Sequence, residues 1–350
     1  MSLHLLESGT QALALAILAC RSGRDTQASE VIVPAYGCPD LVSACLFAGV
    51  TPRLVDVAAD HWAYDRIQLE RSVSERTLAV LAVNLLGIGD DHAQLQRFAA
   101  SRGVALIADS AQHIPRWSPG EQPQYTVLSF GRGKPANALR GGMLVARDAQ
   151  EITALSSMGE QLKEFAMSSR LAAIAFNAAT HPRLYGYTSR LPGLGVGATT
   201  FKPLTRIKAL PASAWRQVGA ALIQYNAEPA DNLRVWRAAF DEWSVHGLTV
   251  LRSTEPTIAG RHLRLPLLAQ DRDHRDRLIE TLQEQGHGAT HLYGAPLPQI
   301  AGVPEIVARQ GPFPNASRLA DRLLTLPTHA HVTEATVQRV SAAIRGSEHA

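Results

Sequence analysis

Short apolar runs alternate with amphipathic stretches through the first 150 residues. Residues 31–34 (VIVP) are a β-branched run stopped by a proline, the pattern of a buried strand. Strand-length apolar runs recur at 51–57, 77–84, 104–108, 125–130 and 143–146. Between them, 12–20, 40–48 and 91–101 read as helices, the last two ended by Gly49 and Gly103. Apolar strands separated by helices predict a mostly parallel sheet covered on both faces. Ligands of such sheets bind beyond the carboxyl ends of the strands, so the residues after each strand are the first candidates for chemistry.

The pattern then changes. Residues 151–177 are helical in pattern, and 181–203, rich in Gly, Pro, Arg and aromatics, read as an irregular excursion, a lid or an interface loop. A long helical stretch covers 213–244. Strand-like segments at 247–252, 262–268 and 289–293 alternate with helices at 273–285, 316–324 and 334–346, an α+β pattern. The expected organisation is a large α/β domain over 1–215, with 151–203 as an insertion-like excursion, and a small C-terminal domain over 216–350.

Composition narrows the function classes. With 350 residues, 46% hydrophobic and 19% charged, the chain is not a disordered one. Its 34 basic against 31 acidic residues give +3, too little to predict nucleic-acid or membrane-surface binding. The three cysteines, Cys20, Cys38 and Cys45, allow no disulfide framework and no CxxC metal knuckle, and they suit a reducing compartment. Glu7 and Gln11 interrupt the apolar start, which has no basic flank, so a secretion signal is not expected. No run reaches the ~18 apolar residues of a membrane span. The expectation is a soluble, cytoplasmic protein.

Three segments carry candidate chemistry. Ser8-Gly9-Thr10 precede the first helix, where free N–H groups and the helix dipole favour an anion; taken alone, they read equally as a plain N-cap. Asp109 follows the apolar strand VALIA and needs a cation or several hydrogen bonds there, unless it caps the next helix; Gln112 stands three residues on. Residues 129–134, SFGRGK, place Lys134 in a tight glycine loop after another strand, where burial favours amine chemistry. The loop lacks the spacing of a nucleotide P-loop, and a solvated loop lysine is its plain alternative. Together, a phosphate site at a helix start, an Asp after a central strand and a Lys after a later one make the layout of a pyridoxal phosphate site, with Lys134 forming the Schiff base.

These segments resemble the DegT/DnrJ/EryC1/StrS sugar aminotransferases, which are fold-type-I pyridoxal phosphate enzymes. The ordered set is SGTQAL (8–13), VIVPAYGCPD (31–40), RLVDVAAD (53–60), ADSAQ (108–112), SFGRGKP (129–135) and RGGMLV (140–145). It covers most of 8–150 and, more loosely, 205–346. The resemblance implies a three-layer large domain with a small C-terminal domain, and a homodimer with the active site at its interface. It also implies amino transfer from L-glutamate to a keto-sugar, nucleotide-linked, in polysaccharide or secondary-metabolite biosynthesis. Carried over, Gly9, Thr10 and Gln11 would contact the phosphate and Ser129 would add a hydroxyl. Asp109 would hold the pyridinium nitrogen, Gln112 the phenolic oxygen, and Lys134 would carry the cofactor and move the proton. The family's dehydratase branch has His where this chain has Lys134.

Several positions depart from the family pattern. Cys38 stands where an aromatic ring usually covers the cofactor, with Tyr36 nearby. Pro135 replaces the Asn after the lysine, Arg140 replaces an acidic residue, and seven residues precede Ser8. The segment that reaches into the partner's phosphate site is not evident, and Arg206 and Lys208 are the cations in that region. These departures keep two alternatives open: another pyridoxal phosphate reaction, such as elimination or dehydration, and a non-catalytic member of the fold.

Other signals have plainer readings. Cys20 and Cys45 fall on apolar helix faces and read as packing rather than a desulfurase nucleophile. His287, His291, His329 and His331 have no third ligand type nearby and read as unliganded. His113, beside Gln112, is a candidate pocket residue. Residues 169–179 read as a packed or dimer-contact helix, and the mixed charges of 261–277 as a solvated face.

Overall fold

The computed structural model describes residues 1–22, 27–115, 122–147, 199–229, 231–252 and 261–347. The readings of 151–177 and 169–179, and of 181–203 up to residue 198, lie outside the described residues.

Seven strands build the main sheet: β1 (Ser2–Leu6), β2 (Glu30–Pro34), β3 (Thr51–Val55), β4 (Thr77–Val83), β5 (Ala105–Ser110), β6 (Tyr125–Ser129) and β7 (Gly142–Ala146). Their order is β1-β7-β6-β5-β4-β2-β3. Neighbours from β6 to β3 are parallel, while β7 runs against both β6 and β1. The mostly parallel sheet is therefore as expected. Strand β1 was not: the apolar start before residue 12 carries no predicted element, yet it pairs residue for residue with β7.

The two faces follow from the strand period of two. Val31, Val33, Leu81 and Ile107 pack with α1 (Gly9–Ser22) and α2 (Asp40–Phe47). Their neighbours Ile32, Val80, Ala82 and Leu106 face the other way, onto Leu69 of α3 (Arg66–Ser72) and Leu95 and Ala99 of α4 (His92–Ser101). Every residue of β4 is buried, as a strand covered on both faces requires. The result is helices, sheet, helices in three layers.

A second sheet, order β10-β9-β8, is antiparallel: β8 (Thr249–Val250), β9 (Arg264–Leu268) and β10 (Leu323–Pro327). Its core joins Leu265 and Leu267 to Trp236, to Trp243 of α6 (Phe240–Val245), to Leu278 and Leu282 of α7 (Arg272–Glu284), and to Val340 and Ile344 of α10 (Glu334–Gly346). Between α7 and α10 lie α8 (Glu305–Ala308) and α9 (Pro314–Arg322), whose Val307 and Leu319 join the large-sheet core instead. Buried Asp56, after β3, fixes that contact by accepting from the N–H groups of Asn315 and Ala316 at the start of α9.

Three expectations in this half need correction. The stretch 213–244 is not one helix: α5 (Ala212–Ala227) stops before Pro229, which pushes Glu228 into an extended conformation (ψ 156°). The Arg261 guanidinium closes that helix end. It donates to the carbonyls of Tyr225, Glu228 and Pro229 and lies 4.2 Å from the centre of the Tyr225 ring. Residues 289–293 are not a strand; only Thr290 bridges to Thr325, and left-handed backbone at Leu292 and Gly294 turns the chain. The third strand is β10, which begins at Leu323, inside the stretch 316–324 expected as helix, because the helix itself ends at Arg322. Helix α5 also runs through residue 215, and Ala214, Val218, Ala221 and Tyr225 pack together on Leu128 and Phe130.

Candidate active site

The cavity opens where the sheet pattern directs attention, at the carboxyl ends of β4, β5 and β6, beside the start of α1. It encloses about 130 Å³, close to the space of about 150 Å³ that takes one benzene ring. One substituted aromatic ring is the right scale of occupant.

One wall is the start of α1. The Ser8 hydroxyl caps the helix by accepting from the Gln11 N–H at 3.2 Å. Gly9 lies so near the end of β6 that a Cβ there would meet the Ser129 Cβ at 2.8 Å. A Cβ on Gly142 would meet the Ser8 carbonyl oxygen at 2.1 Å. The two glycines let the helix start lie against β6 and β7, so that its free N–H groups and the Ser129 side chain border one corner. In that corner Thr10 Oγ1 donates to Asp40 Oδ2 at 2.9 Å.

The floor is Asp109 on β5, between Val83 of β4 and Val127 of β6. Its Oδ1 accepts from the Ala111 N–H at 3.0 Å. Burial raises the carboxyl above its ordinary range and Asp40 adds to the rise, while the Ala111 N–H and Lys134 oppose it. A buried acid so placed suits a cation at the cavity.

Lys134 stands in the loop after β6, its N–H bonded to the Gly131 carbonyl at 3.3 Å, with left-handed Gly133 (φ 68°) before it. Its side chain lines the cavity and is half-buried, not buried as the sequence pattern suggests.

Gln112 is clamped. Its Oε1 accepts from the Leu86 N–H at 2.9 Å, and its Nε2 donates to the Tyr293 hydroxyl at 2.8 Å. Leu86 is held left-handed (φ 57°) in a tight turn closed by Leu85 and Ile88, which aims that N–H at the amide.

Of the sequence candidates, Gly9, Thr10, Cys38, Asp109, Gln112, Ser129 and Lys134 line this cavity. Gln11 and Tyr36 do not. Gln11 is buried, with its Oε1 accepting from the Lys208 N–H at 2.9 Å, so it ties the 205–208 segment to the helix start. Tyr36 is fully buried behind the cavity, its ring centre 5.7 Å from that of Tyr293. Cys38 brings a thiol, pushed up to about 12 chiefly by burial, with Asp40 adding and Lys134 opposing. His113 is buried but off the lining, and Arg206 is exposed. Cys20 and Cys45 are buried in the core.

Three polar lining residues escape the sequence reading: Asp40, Asn84 and Tyr293. Asn84 directly follows β4, and the strand-end rule would have found it. It donates from Nδ2 to the Ser110 hydroxyl at 3.0 Å. Tyr293 comes from the C-terminal half, where no local pattern marks it.

Pyridoxal phosphate fits this donor set: a helix start with a hydroxyl for an anion, a buried acid for a ring N–H, an amide for a phenolic oxygen and a primary amine for an aldehyde.

Comparison with known proteins agrees. The model of the DegT/DnrJ/EryC1/StrS aminotransferase family matches residues 5–345. A UDP-N-acetyl-3-dehydro-alpha-D-glucosamine 3-aminotransferase of Acidithiobacillus ferrooxidans is 27% identical, covering 98% of this chain and 83% of that protein. The fold is shared with S. venezuelae DesV (TM-score 0.71, 21% identity, 99% of this chain and 84% of that one). It is shared also with NtdA of Bacillus subtilis, solved with its cofactor PMP bound (TM-score 0.72, 18% identity, 100% and 74%).

Proposed function

Because the chain belongs to the DegT/DnrJ/EryC1/StrS aminotransferase family and is thus a pyridoxal-phosphate-dependent aminotransferase, we propose that it moves an amino group from L-glutamate to a nucleotide-linked keto-sugar in polysaccharide or secondary-metabolite biosynthesis. The convergence of Gly9, Ser129, Asp109, Gln112 and Lys134 on one ring-sized cavity carries this reading. The name of the Acidithiobacillus relative supports the sugar class. We further propose a two-domain division, with a small domain built on the second sheet within 216–350, and a cytoplasmic location, which the three free thiols suit.

When bound, pyridoxal phosphate supplies an aldehyde that condenses with amines and a ring that withdraws electrons from the adjoining carbon. The N–H groups of Gly9 and Thr10 and the Ser129 hydroxyl would hold the phosphate. Asp109 would hold a proton on the ring nitrogen, and that cation would in turn lower the acid's own raised affinity for a proton. Lys134 Nζ would hold the aldehyde between turnovers, take a proton from the donor's Cα, and give one to the sugar carbon that receives nitrogen. Cys38, which lines the cavity, would stand in place of an aromatic cover.

Among the described lining residues the charged ones are Asp40, Asp109 and Lys134, with no arginine. A phosphate dianion beside Asp40 calls for further cations, and a second copy of the chain is their proposed source, through Arg206 and Lys208. Light scattering should give twice the 37.7 kDa of one chain; a monomer that turns over at full rate would contradict this.

Gly9→Ala tests the phosphate corner. The added Cβ forces Ser129 to shift, which should cost about 1–3 kcal/mol of stability and weaken cofactor binding about ten-fold. A thermal melt and a pyridoxal phosphate titration read both. The proposed reaction is tested by 2-oxoglutarate release from L-glutamate with a UDP-linked 3-keto-sugar or the free keto-sugar as acceptor. Release that requires the nucleotide-linked sugar is expected, and equal rates with both acceptors would overturn the nucleotide assignment.

A further inference from the structure

We propose that the Tyr293 hydroxyl donates a hydrogen bond to the phenolic oxygen of the bound cofactor, so that this oxygen meets two donors of this chain, Tyr293 and Gln112. The inference rests on the cofactor placement given above.

The hydrogen-bond chain fixes the direction of each donor. The Leu86 N–H requires an acceptor, so it takes the Gln112 oxygen and leaves the amide nitrogen facing Tyr293. The Tyr293 oxygen is therefore an acceptor toward Gln112, and its own hydrogen is free for another partner. Tyr293 lines the cavity together with Gln112 and Asp109. The second Gln112 N–H and the Tyr293 O–H are thus two adjacent donors at the cavity that Asp109 also lines, where Asp109 would take the ring nitrogen. Burial holds the Tyr293 phenol protonated, its acidity further suppressed by Cys38, Tyr36 and Asp109, with the Gln112 bond opposing. The remaining charged groups at the cavity are Asp40 and Lys134. The ring of Tyr36 backs Tyr293, so the hydroxyl can be removed without removing the wall.

The test compares wild type with Tyr293→Phe by titrating the cofactor-free proteins with pyridoxal phosphate and with its 3-deoxy analogue, which lacks the phenolic oxygen. The variant should bind pyridoxal phosphate about ten-fold more weakly and the analogue as wild type does. In the loaded enzyme, the proton shared by the phenolic oxygen and the Lys134 nitrogen should be held to higher pH. The midpoint of the visible band's pH transition should therefore rise by about one unit. Equal weakening toward both ligands, or no weakening and an unmoved midpoint, would overturn the proposal and reduce Tyr293 to a wall. Failure of the wild type itself to take up pyridoxal phosphate would instead overturn the cofactor placement on which it rests.

Discussion

Lys134→Ala should lower amino transfer by about 10⁴-fold or more, because in the proposed mechanism one side chain would both hold the cofactor's aldehyde and move the proton. Acid–base help alone is worth up to about 10⁴-fold, and the covalent role adds to it. The fold should survive. Lys134 is half-buried in a loop, and the Gly131 carbonyl receives its backbone N–H, which alanine retains. A melting temperature equal to wild type, with 2-oxoglutarate release at background, is the expected pair of readings. Activity within ten-fold of wild type would remove Lys134 from the chemistry.

Asp109→Asn should do two opposite things. In the loaded enzyme it would remove the charge proposed to face the ring nitrogen. Loss of one member of a buried charged pair costs about 2–5 kcal/mol, so activity should fall by about 10²- to 10³-fold. In the cofactor-free protein the same change should stabilise. Burial raises the Asp109 carboxyl, so the folded chain binds that proton more tightly than the unfolded chain. Stability is then full below the unfolded value of about 3.9 and is lost as pH rises through the raised folded value. The asparagine variant keeps an oxygen for the Ala111 N–H and has no charge to bury. At neutral pH the cofactor-free variant should melt above wild type, with the gap closing toward acid pH. A cofactor-free variant that melts below wild type at neutral pH would show that the carboxylate is satisfied by the protein alone.

Most of the large sheet is legible because its strands are continuous apolar runs bounded by Gly, Pro or a polar turn. VIVP and TLAVLAV are buried on both faces and carry that signal fully. Strand β1 is not legible, because an edge strand needs its partner to define it, and β7 lies more than 130 residues away in the chain. The C-terminal half misleads where helix and strand share one apolar run: Ala316 and Leu319 belong to a helix, while Leu323 to Leu326 belong to β10. At the site, Gly9, Asp109, Ser129 and Lys134 can be read because each opens a helix, sits at a strand's carboxyl end or follows in the loop just after one. Gln11 and Tyr36 sit within the same motifs, yet turn toward Lys208 and the core, since a motif fixes the backbone path but not which side chains face the cavity. Tyr293 enters the site only through tertiary packing, 181 residues from Gln112.

The visible absorption spectrum of the protein loaded with pyridoxal phosphate, recorded beside Lys134→Ala before and after L-glutamate, reports whether Lys134 carries the cofactor and whether the cofactor takes up the amino group. A visible band in wild type, absent from the variant and bleached by L-glutamate as the amino group is taken up, is the predicted result. No band in wild type, or the same band in the variant, would contradict the assignment of Lys134 as the residue that carries the cofactor.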